Sequence, residues 1–258
     1  MSNLLNPLNL TAEQKKECFN KLFEESLPNI SFFLMLTLST IIVTLGLLIN
    51  NTAIIIGGML IAPLLFPISS FALGIVVSDY KLIRNSALVT LQAVLLITII
   101  SILIPFLMLD RGLTPEILAR TENTQIYFII AFVSGIASSY ALSHPKMSEI
   151  LPGVAIAVSL LPPLAVFGIG ISFLNWEIIV RAISLFGINL LGIIFASLIV
   201  FSILRFNDIR STIKSKINKE EKEANKEKIE KEKKDITKEV KKIKKTLQQA
   251  SDIIENKK

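Results

Sequence analysis

Residues 51–77 read NTAIIIGGMLIAPLLFPISSFALGIVV, an apolar stretch long enough to cross a bilayer but interrupted by Pro63 and Pro67. Residues 149–173 read EILPGVAIAVSLLPPLAVFGIGISF, a second such stretch with a Pro-Pro pair at its centre. Proline lacks the backbone donor that a helix needs and frees a carbonyl one turn earlier. We therefore predict two membrane segments that are both broken by proline at membrane depth.

Outward from these stretches, the hydropathy predicts an all-α membrane protein with six spans, because each crossing needs ~20 apolar residues. The predicted spans are Ile30–Ile49, Asn51–Val77, Leu82–Leu109, Gln125–Leu142, Glu149–Phe173 and Trp176–Leu204. They divide the chain into an amphipathic N-terminal helix (residues 1–29), a transmembrane domain (30–206) and a long charged C-terminal helix (207–258).

The distribution of charge predicts the orientation in the lipid bilayer. Residues 1–210 hold 11 basic and 11 acidic residues, whereas residues 211–258 hold 16 lysines and 10 acidic residues, so the net charge of +6 belongs to the tail. Basic residues near the predicted span ends divide eleven to three between the two sides. This bias predicts a cell-membrane protein with both termini in the cytoplasm. Re-entrant broken segments would leave four spans and a weaker division of ten to four.

The two halves of the membrane domain resemble each other. Pro63-Leu64 recurs 100 residues later at 163–164, and Arg84 and Gln92 recur 97 residues later as Arg181 and Asn189. We therefore predict a tandem repeat of residues 30–109 and 125–206. Because each copy would hold three spans, the copies would lie in opposite orientations, as in many secondary transporters.

Local signals predict two further helices. Thr11 and Gln14 form a capping-box pattern at the start of an amphipathic helix that Pro28 ends. Thr114 followed by Pro115 is typical of a helix start, and predicts a short helix through Ala119 in the loop before the fourth span.

The tail combines Lys/Glu pairs with a short apolar seam. The seam residues are Ile229, Ile236, Val240, Ile243, Leu247, Ala250 and Ile254. This heptad spacing predicts a coiled coil that joins copies into a homo-oligomer, with a lone solvated helix as the alternative. Nucleic-acid binding is not expected, because the basic residues alternate with acidic ones and no aromatic residue accompanies them.

The proline-containing segments carry the candidate functional site. Its residues are polar, soft or proline side chains in the two segments and in the helices that follow them: Met59, Pro63, Pro67, Ser69, Ser70, Gln92, Ser159, Pro162, Pro163 and Asn189. Helix amino-termini at the breaks would favour an anion or a carboxylate-bearing solute. We therefore expect a transporter or channel for a small solute. The alternatives are prolines that only kink helices for packing, and a non-transporting scaffold or sensor that works through its tail.

Enzymatic chemistry is not expected. The chain has one cysteine and one histidine, too few for a disulfide or for a Cys/His metal site. No Ser/His/acid set, carboxylate cluster or phosphate-binding loop is present in the sequence. We therefore expect no catalytic residues, no metal and no cofactor.

Three stretches resemble a known family of prokaryotic hydrophobic membrane proteins, domain of unknown function 389. They read LLINNTAIIIGGMLIAPL at 47–64 (with Pro67 beyond it), TPEILART at 114–121 and GVAIAVSLLPPLA at 153–165. The resemblance implies a membrane protein and carries no settled biochemical activity. Many members have a soluble N-terminal domain where this chain has a short helix. The family tends to have Pro and Asp after the position of Arg120, where this chain has ENTQ at 122–125.

Overall fold

The computed structural model describes residues 10–107, 112–122, 125–144, 147 and 152–209, with the backbone alone described at 152–158 and 209. The predicted charged C-terminal helix and its coiled-coil seam begin beyond this part, so they stay predictions. All regular structure within these ranges is helical.

The helices follow the predicted segments closely. They are α1 (Ala12–Glu25), α2 (Ile30–Leu48), α3 (Thr52–Ile61), α4 (Leu65–Val77), α5 (Tyr80–Leu107), α6 (Pro115–Ala119), α7 (Gln125–Ser143), α8 (Pro152–Ser172) and α9 (Trp176–Ile203). The capping box of Thr11 with Gln14 and the cap of Thr114 on α6 are both formed, which confirms the two predicted helix starts.

Several helices have the length and composition of membrane spans. Among the described residues, α2, α5, α7 and α9 are each long and apolar enough to cross a membrane, and α3 with α4 meets the same criterion as a pair bent by 51°. The described apolar part of α8, Ser159–Ser172, is shorter. Large side chains such as Leu34, Leu95 and Phe195 are exposed along the spans. Such an apolar surface suggests a protein embedded in a membrane.

The prediction that the second segment is broken is wrong. α8 runs from Pro152 to Ser172 as one helix with Pro162 and Pro163 inside it. Only the first segment breaks, between α3 and α4. The two segments differ at the residue before proline: Ala62 is extended, with a ψ of 121°, whereas Leu161 and Pro162 stay within α8.

Three helix pairs are joined by the same tight turn. In each, a residue with positive φ follows the first helix: Asn50, Ser78 and Leu174. The next residue donates its N–H to the carbonyl of a glycine five positions earlier, at 2.9–3.0 Å, in the pairs Asn51–Gly46, Asp79–Gly74 and Asn175–Gly170. Its side chain then caps the following helix. The sequence signature of this turn is glycine, four residues, then Asn or Asp.

Hydroxyl pairs join the long helices in the core. Thr44 of α2 and Ser101 of α5 lie 3.0 Å apart, oxygen to oxygen, and Ser139 of α7 donates to Ser197 of α9 at 2.7 Å. All four residues are buried. Side-chain hydrogen bonds of this kind hold helices together in lipid, where the hydrophobic effect between helices is absent.

At one end of the bundle, α1 packs against α4, α7 and the turn after α9. The Lys15 ammonium donates to the carbonyl of Arg205 at 2.9 Å and lies 3.7 Å from the Asp208 carboxylate. Cys18 is buried, with a hydrogen bond to Ser143 at the end of α7, and its burial raises the pKa of the thiol to about 12. The thiol therefore stays protonated at neutral pH.

At the other end, the short helix α6 docks on the turn between α2 and α3. Thr114 donates its hydroxyl to the carbonyl of Leu47 at 2.6 Å, and the N–H of Glu116 donates to the Asn50 side chain at 3.1 Å. The Glu116 carboxylate also accepts from Thr52, the first residue of α3. A carboxylate at this position complements the dipole of α3.

Two glycines inside spans provide a matched test of helix packing. A Cβ on Gly168 would lie 2.6 Å from the Cβ of Ser101 and 2.9 Å from the carbonyl oxygen of Thr98, whereas a Cβ on Gly187 would meet nothing within 4 Å. We expect Gly168→Ala to lower the free energy of unfolding by about 1–3 kcal/mol, because α8 must move away from α5.

Gly187→Ala, the matched control, should leave the free energy of unfolding unchanged or raise it slightly, because alanine is the better helix former. Thermal unfolding of the purified protein in detergent micelles measures both changes. Equal stability of the two variants would contradict the close approach of α8 and α5.

Candidate functional site

The break between α3 and α4 lies at Ala62-Pro63-Leu64. A residue before proline is pushed from helical to extended backbone, and Ala62 has a ψ of 121°. Pro67 lies in the first turn of α4, where a proline is tolerated. The bend of 51° between the two helices follows from this single extended residue.

A carbonyl freed at the break is satisfied by a neighbouring helix. The N–H of Ala62 donates to Met59 rather than to Gly58, one residue earlier. The Gly58 carbonyl instead accepts the hydroxyl of Ser39 from α2 at 2.7 Å, and Ser39 is fully buried. Backbone groups at membrane depth must be satisfied internally, and here a serine provides the missing donor.

In α8, a side chain repairs the helix without a break. Pro163 has no N–H for the carbonyl of Ser159, four residues earlier. The side-chain amide of Asn189 in α9 donates to that carbonyl at 2.7 Å. Asn189 and Ser159 are both buried. This contact satisfies the carbonyl that Pro163 leaves without a helical donor.

Unsatisfied polar groups lie near these repairs. Leu64 precedes α4 without any side-chain cap, and the first amides of a helix have no partner within the helix. The Ser69 hydroxyl, one turn further along α4, is buried without a hydrogen bond among the described residues, and so is Oδ1 of Asn189. The amino end of α4 therefore combines a helix start that no side chain caps with the unpaired hydroxyl of the buried Ser69.

The remaining predicted site residues divide between packing and the surface. Met59 is buried, and Ser70 donates its hydroxyl to the carbonyl of Leu22, which fixes α1 to α4. Gln92 is exposed, in contrast to Asn189. The predicted correspondence of Gln92 with Asn189 therefore does not extend to their surroundings. α3 packs against α8, and α4 packs against α9, so α8 and α9 are the neighbours of the two helices that meet at the break.

An open groove of about 280 Å³ lies between α4, α5 and α9, but it is not the predicted polar site. It is lined mainly by apolar side chains, including Phe71, Leu91 and Leu190, and by none of the predicted site residues.

Ser39 was missed by the sequence reasoning. Its signal is a Ser-Thr pair at 39–40 inside an apolar helix, which marks a span that hydrogen-bonds a neighbour. Nothing in the local sequence indicates that its partner is the carbonyl of Gly58.

Known proteins match this chain over the region that contains the candidate site. The family described as Domain of unknown function (DUF389) matches residues 59–195, a range that includes every predicted site residue. The uncharacterized protein MJ0678 of Methanocaldococcus jannaschii is 37% identical over 217 residues, which cover 80% of this chain and 67% of that relative. No solved structure gives a significant match.

The repair of α8 can be tested with a double-mutant cycle. Asn189→Leu removes the side-chain donor to the buried Ser159 carbonyl, so we expect it to lower the free energy of unfolding by about 1–3 kcal/mol. In a Pro163→Ala background the loss should be at least halved, because alanine at position 163 restores the N–H for that carbonyl. Denaturant unfolding in micelles measures the cycle. Strictly additive effects would contradict the assigned role of Asn189.

Proposed function

The chain belongs to the family described as Domain of unknown function (DUF389), and we propose that it is a transporter or channel for a small anionic solute. The solute site in this proposal is the amino end of α4, at the break between α3 and α4. The observation that carries the proposal is a helix start inside the bundle, uncapped by any side chain at Leu64 and followed by the unpaired hydroxyl of Ser69.

A sixth span through α8 is part of this proposal. α7 ends at Ser143 beside Cys18 of α1, and the turn after α9 contacts Lys15 of the same helix. α9 has 28 residues, and a helix of that length is about 42 Å long, so α9 would begin on the opposite side of the membrane. α8 must then cross the membrane between α7 and α9.

Burial supports two three-span units, with α2 to α5 as one and α7 to α9 as the other. Every buried position of α5 is also buried in α9 after a shift of 96 residues. The α5 positions are Leu82, Ser86, Val89, Ala93, Ile97, Ser101, Ile104 and Pro105, and the α9 positions are Ile178, Ala182, Leu185, Asn189, Ile193, Ser197, Val200 and Phe201. The same shift relates the turns at Gly74 and Gly170 and pairs Pro67 with Pro163.

The two hydroxyl pairs of the core follow this symmetry. Thr44 with Ser101 joins the first and last spans of one unit, and Ser139 with Ser197 joins the first and last spans of the other. Three spans in each unit would place the units in opposite orientations, as in secondary transporters whose sites lie at broken helices. In this proposal, equivalent residues of the two units lie 96 positions apart, in place of the 97 and 100 positions predicted from the sequence.

The chemistry of the site favours an anion. A helix amino-terminus carries a partial positive charge and unpaired N–H groups that bind negative oxygen atoms or halides. Pro67 removes one of these amides, so Leu65 and Phe66 are left with the Ser69 hydroxyl as nearby donors on the same helix. A buried hydroxyl without a partner costs free energy, which a bound anion would recover.

Catalysis is not part of the proposal. Within the described ranges no three His, Cys, Asp or Glu residues lie together so as to hold a metal ion. We propose a location in the cell membrane with both termini in the cytoplasm. The excess of basic residues on one side favours this orientation, and the contact of α1 with the turn after α9 is consistent with both ends of the membrane domain lying on one side.

Anion uptake by liposomes that contain the purified protein tests the proposal. Radiolabelled chloride, inorganic phosphate and acetate are supplied separately, and we expect at least one to enter faster than into protein-free liposomes. Ser69→Ala should lower that uptake about ten-fold or more, the effect of one hydrogen bond to a charged group. Ser184→Ala is the matched control, because its hydroxyl donates only to Val180 of its own helix, at 2.7 Å; it should leave uptake unchanged.

Uptake of all three anions at the protein-free rate, with the protein folded, would contradict the proposal. Equal uptake by the Ser69→Ala and Ser184→Ala variants would contradict the placement of the site at α4.

A further inference from the structure

α5 exposes a polar side chain in the middle of an apolar span. Gln92 is exposed, and no hydrogen bond from its amide to another described residue is found. Large apolar side chains surround it on the same outer face: Leu88, Leu91, Leu95, Ile99 and Leu103, each 45–56% exposed. The amide is thus an isolated polar group on a face that would otherwise contact lipid.

The depth of Gln92 prevents its amide from reaching water. At 1.5 Å per residue, it lies about 18 Å from the start of α5 and about 22 Å from the end. The hydrocarbon core is about 30 Å thick, so Gln92 is near its centre. A glutamine side chain is too short to reach either interface from there, and an unpaired amide in hydrocarbon is unfavourable.

The described residues offer no partner for this amide. The residue 96 positions later is Ile188, so the other half of the membrane domain carries no matching amide. A second copy of the chain, inserted in the same direction, carries a matching amide at the same depth.

We propose that this face of α5 is the contact between two copies of the chain, centred on Gln92. Two copies inserted in the same direction are related by a two-fold axis along the membrane normal, which brings each residue on the axis opposite itself at equal depth. The glutamine amide contains both a donor and an acceptor, so two of them satisfy each other. Hydrogen-bonded polar side chains join membrane helices in this way. This contact is independent of the solute site at α4 and of any pairing through the tail.

Disulfide cross-linking of the full chain in native membranes tests the contact. The only cysteine is first removed by Cys18→Ser, and Leu88→Cys is then introduced one helical turn before Gln92, with Gln92 itself retained. Val133→Cys on the outer face of α7 is the matched control, since Val133 is 57% exposed. On mild oxidation, we expect linked dimers from the variant at position 88 and only background from the variant at position 133.

Adding Gln92→Leu to the Leu88→Cys chain should lower the dimer yield about five-fold, because the polar pair is lost while the apolar surface remains. Yields at position 88 no higher than at position 133 would overturn the proposal. A yield at position 88 that Gln92→Leu leaves unchanged would overturn the role of the amide.

Discussion

The need to satisfy every backbone carbonyl at membrane depth shapes this molecule more than any other constraint. Each proline within a span removes one helical hydrogen bond, and lipid supplies no replacement. Two freed carbonyl groups accept a side-chain hydrogen bond from a neighbouring helix instead. Ser39 donates to the carbonyl of Gly58 at the break between α3 and α4, and Asn189 donates to the carbonyl of Ser159 within α8. Both segments thus hold a freed carbonyl through a side chain of a neighbouring helix, although only the first segment is broken.

The two proline-containing segments differ in the course of their backbone. In α8, the proline pair is absorbed into a continuous helix. Between α3 and α4, the chain turns by 51° and begins a new helix inside the bundle. Only the break between α3 and α4 places the start of a helix in the interior, so the proposed anion site belongs to one half of the chain's helices.

Much of the fold was predictable because it depends on local chemistry. Hydropathy gave the helix bounds to within a few residues, and the caps at Thr11 and Thr114 formed as the sequence indicated. The contact of Asn189 with the Ser159 carbonyl was not predictable, because the two residues lie 30 positions apart in the chain. Because of this contact Asn189 is buried, whereas Gln92 is exposed, although the sequence comparison of the two halves predicted that these residues correspond. Of the candidate site, the break at Pro63 could be predicted, but the unpaired state of Ser69 depends on the packing around it.

The most direct test of the account is the membrane side of the two equivalent turns. Ser78 and Leu174 are exposed, share a positive φ and occupy matching positions in the two proposed units. In a Cys18→Ser background, Ser78→Cys should react with a membrane-impermeant maleimide only from the cytoplasmic side, and Leu174→Cys only from the outside. Labelling of both positions from the same side would contradict two units inserted in opposite directions.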